Sequence, residues 1–153
     1  MLRSIMLIIC IAWTSPALAS EWWLVSTSGS GKSEKATFLD RESMRSSSGS
    51  ILAWTLGIKE TSDADGTRKT RILRRYNCSA GTDALLSVTT IGNNDRQLET
   101  VTWATYEQKE TYNAPDTVGE AVWKSVCLGP QEHDVQIKDG MSPEQFAAAF
   151  FRI

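Results

Sequence analysis

Two cysteines, Cys78 and Cys127, constrain how this chain can fold more than any other feature. They are what remains of three once the first residues are set aside as a leader. Arg3 gives a positive start, and Ile5 to Trp13 is an apolar run that holds Cys10. Pro16 breaks the run, and Ala17-Leu18-Ala19 offers the small residues behind which a signal peptidase cuts. Residues 1–19 are therefore read as a secretory signal peptide. The run falls short of the roughly 20 apolar residues that span a bilayer. Cys10 leaves with the leader, and in an oxidising compartment the two remaining thiols most simply form one disulfide. Position 20 is Ser, so no cysteine stands where a lipid would be attached.

The mature chain of about 133 residues fits one domain with a real core. Its net charge of −2 becomes −3 when Arg3 is removed. So weak a balance favours neither nucleic-acid binding nor electrostatic attachment to a membrane. No later segment is apolar enough for a transmembrane anchor, so a soluble or peripherally attached protein is expected.

Strand signals dominate the first two thirds. Trp22 to Ser26 and Ala36 to Asp40 are short β-rich runs around a Gly/Ser loop. Ile51 to Lys59 alternates strictly, with Leu52, Trp54, Leu56 and Ile58 on one face and Ala53, Thr55, Gly57 and Lys59 on the other. That pattern predicts one buried and one wet face, as in an antiparallel sheet. After the turn at Ser62 to Gly66, Thr67 to Cys78 forms the partner strand. Its parity groups Ile72, Arg74, Tyr76 and Cys78 against Lys69, Arg71, Leu73 and Arg75. With Cys78 turned inward, the second group faces water as a basic stripe. Leu85 to Ile91 and Gln97 to Tyr106 complete a meander of about six strands.

Helix signals come late. Thr117-Val118-Gly119-Glu120 is a capping box for a helix to about Cys127. Ser142-Pro143, with Gln145 three residues after the cap, starts a second helix whose apolar face carries Phe146, Ala147, Phe150 and Phe151.

Chemistry is sparse. Nucleophilic catalysis needs a nucleophile beside a base, and the one histidine, His133, lies in a polar connection. No second histidine or spare thiol completes a zinc site, and no metal or cofactor is expected. Asp63-Ala64-Asp65-Gly66 has acidic spacing but no closing Glu, and reads as a hairpin turn. Gly31-Lys32-Ser33 lacks the first glycine and the strand-to-helix setting of a phosphate loop. The stripe of Lys69, Arg71 and Arg75 could bind a polyanion; it better suits an edge strand that uses charge against edge-to-edge pairing. Trp54 reads as core, while Trp22, Trp23, Trp103 and Trp123 could be core or exposed anchors.

Several marks are spread from the first strand to the first helix. They are Trp22-Trp23-Leu24-Val25, then Phe38-Leu39-Asp40 with Ser43 and Met44, Gly49 to Trp54, Tyr76-Asn77-Cys78 and Trp103. The most specific is Pro115-Asp116-Thr117-Val118-Gly119-Glu120 leading to Val126-Cys127. Together these marks resemble the surface-adhesin protein E family of small exported Gram-negative proteins, and the resemblance implies an antiparallel sheet of about six strands with a helix tied to it by a disulfide. It also implies a surface protein that binds host extracellular-matrix proteins. The chain departs from the family in lacking a lipid-attachment cysteine and in carrying 26 residues after Cys127, a tail that could cover sheet surface or mediate dimerisation.

The expectation is thus an α+β fold with a leader (1–19), an adhesin E-like domain (20–128) and an extension with a short helix (129–153). The leading function is a non-enzymatic, exported binding protein for a protein or glycan macromolecule. Lys69, Arg71 and Arg75 are the candidate contact residues, and the Phe-rich tail is a second candidate surface. The alternative is a periplasmic structural or inhibitory envelope protein acting on a bacterial partner.

Overall fold

The computed structural model describes residues 21–138 and 140–152. The proposed leader lies outside them. Five long strands run as an antiparallel meander: β1 (Trp22–Ser28), β2 (Lys35–Ser47), β3 (Ser50–Lys59), β4 (Thr67–Asn77) and β5 (Thr82–Gly92). They are followed by β6 (Gln97–Thr102) and β7 (Glu110–Tyr112), which lie end to end along the same edge of β5. Helix α1 (Val118–Cys127), the short strand β8 (Val135–Gln136) and helix α2 (Pro143–Phe150) complete the chain. The sheet order is β6-β5-β4-β3-β2-β1-β8, so eight strands stand where about six were expected. The extra two have three and two residues, too short to show a period in the sequence.

Local chemistry explains the joints. Ser48 and Gly49 both take positive φ in the tight turn between β2 and β3, a turn that glycine fits without strain. The Thr117 hydroxyl accepts the Glu120 amide at 3.2 Å and so caps α1. Glu120 reaches back one residue further than a capping box requires and accepts the Asp116 amide at 2.9 Å. Ser142 and Gln145 form the complete reciprocal box at the start of α2. Cys78, just past β4, is bridged to Cys127 at the end of α1, with their Cα atoms 5.4 Å apart.

The sheet is buried on both faces, which corrects the expectation of one wet face. On one face α1 sets Val122 and Val126 against Val25, Leu39, Ala53 and Tyr76. On the other, α2 sets Phe146 and Ala147 against Leu24, Phe38, Leu56 and Ile58. Ala53, Thr55 and Gly57 look like a wet face only because they are small; all three are buried. Small side chains here allow other groups to lie close over the strand. The Phe-rich tail is likewise a core element: the Phe38 and Phe146 rings meet edge to face, with centroids 6.1 Å apart.

Candidate functional site

The β3–β4 register decides which groups can act together. Leu52, Trp54, Leu56 and Ile58 stand directly opposite Arg75, Leu73, Arg71 and Lys69. The apolar set of one strand and the basic set of the next therefore share a face, where each had been assigned the opposite one. β4 lies between β3 and β5, so the edge-strand reading of its charges is also corrected. A central strand cannot use them to block edge pairing.

The three candidate residues part company along this face. Lys69 is buried beneath the start of α2, where its ammonium pairs with Asp95 and with Glu144 at 3.0 Å. It is an internal clamp, not part of an open stripe. Burial pulls the Lys69 pKa down, but hydrogen bonds to Asp95 and Glu144 outweigh it and hold the ammonium above its ordinary value. Arg71 is exposed, and its guanidinium lies 4.9 Å from the centre of the half-buried Trp54 ring. Arg75 is half-buried and donates to Gln108 Oε1 at 3.0 Å. Gln108 in turn donates to the Trp103 carbonyl at 3.1 Å.

Trp54 is held by an irregularity in β2. The β2–β3 pairing shifts between Asp40 and Arg45, and Ser43 fills the gap. Its hydroxyl donates to the Asp40 carbonyl at 2.7 Å and accepts the Trp54 amide at 3.3 Å. Asp40 stands opposite Trp54 and is buried. Burial raises its pKa, although the Ser43 amide and the Arg71 charge both pull against the rise. A shallow cavity of about 190 Å3 adjoins the stack, lined by Trp22, Leu56, Lys69, Arg71, Ile91, Pro143 and Glu144. The site is thus a rigid aromatic platform carrying one exposed cation, bounded by the first turn of α2. Such a surface can hold an acidic or planar group of a partner.

The remaining motifs are local structure. Gly31–Ser33 is a short 3-10 turn between two strands, not the start of a phosphate-binding helix. Asp63 pairs with Lys59, and Asp65 Oδ1 accepts the Thr67 amide at 2.8 Å, so both acids serve the hairpin. His133 is exposed in a turn, 3.6 Å from Asp134 Oδ1. Trp23 carries Arg41 at 5.6 Å and packs at the edge of the α1 core.

The clamp beneath α2 has a pH signature. Burial raises the Glu144 pKa, but its bond to Lys69 and its other hydrogen bonds outweigh this, so it lies below its ordinary 4.5. A depressed carboxylate stabilises the fold above its unfolded pKa and loses that effect as pH falls through the folded one. Lys69 has the opposite sign, and its contribution is lost only above its own raised pKa. We expect Glu144→Gln to cost up to about 1 kcal/mol at pH 7, the size of a partly exposed pair. In thermal melts from pH 7 to pH 3 the gap between variant and parent should close below pH 4.5. A gap independent of pH would remove Glu144 from this role.

No curated protein and no solved structure matches the chain. The sequence model of the surface-adhesin protein E family matches residues 22–128, from the first residue of β1 to the residue after α1. β8 and α2 lie beyond the matched segment. With the meander, the bridged helix and a match over most of its length, the chain belongs to the surface-adhesin protein E family.

Proposed function

We propose that this protein is an exported, non-enzymatic adhesin that holds a host extracellular-matrix macromolecule through the Trp54–Arg71 platform. Family membership supports the adhesive role and a location at or beyond the cell envelope. The observation that carries the choice of surface is the exposed Arg71 guanidinium lying over Trp54. Arg71 makes no ion pair among the described residues, so its charge is available to an acidic partner. An arginine held on an aromatic face is already ordered, which lowers the entropy lost on binding. Arg75 sits four residues along the same strand, on the same face, and adds a second cation, oriented by Gln108. Lys69 is left out of the contact set, because its charge is spent inside the fold.

The test is the double reversal Arg71→Glu, Arg75→Glu, measured against immobilised matrix proteins and a heparin-like glycan. A charge-assisted contact contributes about 1.5–3 kcal/mol, so affinity should fall at least tenfold. Unchanged affinity rejects this face. Protease shaving of intact cells separates adhesion from the periplasmic alternative: an adhesin is cleaved from outside, and an envelope protein facing the periplasm is protected.

A further inference from the structure

The opposite face of the sheet holds a cavity that the adhesive surface does not use. It measures about 230 Å3 and lies between β2–β5 and the first turns of α1. Its polar lining is Lys35, Thr37, Thr55, Arg74, Tyr76 and Asp83; Ile72, Val118 and Val122 form its apolar part. Registers confirm the shared face, with Thr37 opposite Gly57, Thr55 opposite Ile72 and Tyr76 opposite Asp83.

The charges there do not cancel. Arg74 pairs with Asp83 at 2.5 Å. With its amide turned to satisfy both neighbours, Asn113 also donates to Asp83 at 2.8 Å. Lys59, next to Lys35 across the strands, pairs with Asp63. Lys35 has no ion-pair partner among the described residues and is half-buried. Burial, then the charges of Lys59 and Arg74, lower its pKa, with a small opposing pull from Asp63. Its side chain runs over Gly57, and its Cε lies 2.4 Å from where a Cβ on that residue would be. A second observation is independent of charge. Thr37 is buried, and its hydroxyl has no hydrogen-bond partner. A buried hydroxyl left unpaired costs about 1–3 kcal/mol, a cost that a ligand in the cavity can remove.

We propose that this cavity binds a small organic monocarboxylate. One uncompensated positive charge matches one negative charge, and Thr37, Thr55 and Tyr76 supply neutral hydroxyl donors to the carboxylate oxygens. Ile72, Val118 and Val122 receive a short apolar body. The volume is below the roughly 300–1,000 Å3 of drug-sized sites, which suits a short-chain or single-ring acid. A phosphate dianion would bring a second charge with no cation left to meet it.

The mature protein should be titrated with butyrate and with benzoate, following backbone amide resonances by NMR. Saturable shifts at Thr37, Gly57, Val118 and Gly119 are expected. Lys35→Met keeps the stem without the charge and should weaken binding at least tenfold. Thr37→Val keeps the shape without the hydroxyl and should weaken it severalfold, which serves should the first variant fold poorly. Inorganic phosphate should leave the same resonances unmoved. A peptide with a free C terminus, compared with its amidated form, shows whether a chain end can supply the same carboxylate. Absence of saturable shifts, equal binding of phosphate, or full binding by both variants overturns the proposal.

Discussion

Replacing both Cys78 and Cys127 by Ala should remove about 4 kcal/mol of stability, because the bridge closes a loop of 49 residues. Domains of this size have about 5–15 kcal/mol in total, so the variant should sit close to the folding threshold. A fall in melting temperature of roughly 10–20 °C follows from the entropy of unfolding. The physical cause lies mainly in the unfolded chain, which the bridge keeps from expanding. In the folded state Val122 and Val126 still bury α1 against the sheet, so the variant should fold when cooled. Denaturant titration of the mature protein, with and without reductant, measures the effect. A loss below about 1 kcal/mol would mean that packing alone holds α1, and that the bridge contributes little.

Phe38→Ala should be the most damaging single substitution, at about 3–5 kcal/mol. Phe38 is completely buried and touches both layers of its side of the core: Leu24 and Leu56 in the sheet, and Phe146 in α2. Truncation leaves a cavity that neighbouring strands cannot close, since each is held by its own ladder. Phe146→Ala is the informative partner, because Phe146 is only half-buried and lies on the helix. It should cost about half as much and loosen α2 selectively. Hydrogen exchange distinguishes the two: Phe38→Ala should speed exchange throughout β1–β3, whereas Phe146→Ala should speed it only in α2. If Phe38→Ala costs less than about 1 kcal/mol, the α2 layer is not part of the cooperative core.

Much of this structure is legible in the sequence. The alternation of Ile51 to Lys59, the caps at Thr117 and Ser142 and the pairing of Cys78 with Cys127 all rest on local rules. What escapes is the relation between strands. A period of two says that Lys69 and Arg71 share a face, and that Leu56 and Ile58 share one; it does not say whether these faces coincide. The β3–β4 pairing is unbroken from Tyr76 to Lys69, so alternation within β4 is regular there; the irregularities against β5 are an extra β4 residue before Lys69 and an extra β5 residue at Leu86. Parity counted from Cys78 back to Lys69 therefore groups these side chains correctly, but it does not say that α2 covers the Lys69 end of their face. Lys69 was misread for a second reason. Its partners, Asp95 and Glu144, are 26 and 75 residues away, and only the docking of α2 brings the latter close. Arg71, by contrast, keeps the exposure expected of it.

The docking of α2 also bears on descent. The helix lies outside the segment shared with the family, yet Leu24, Phe38, Leu56, Ile58 and the ammonium of Lys69 are suited to being covered by it. A relative with this sheet and no such tail would present those apolar groups and an orphaned cation to water. Tail and sheet face are therefore matched to each other. Removing the extension from this chain should call for polar replacements at these sheet positions.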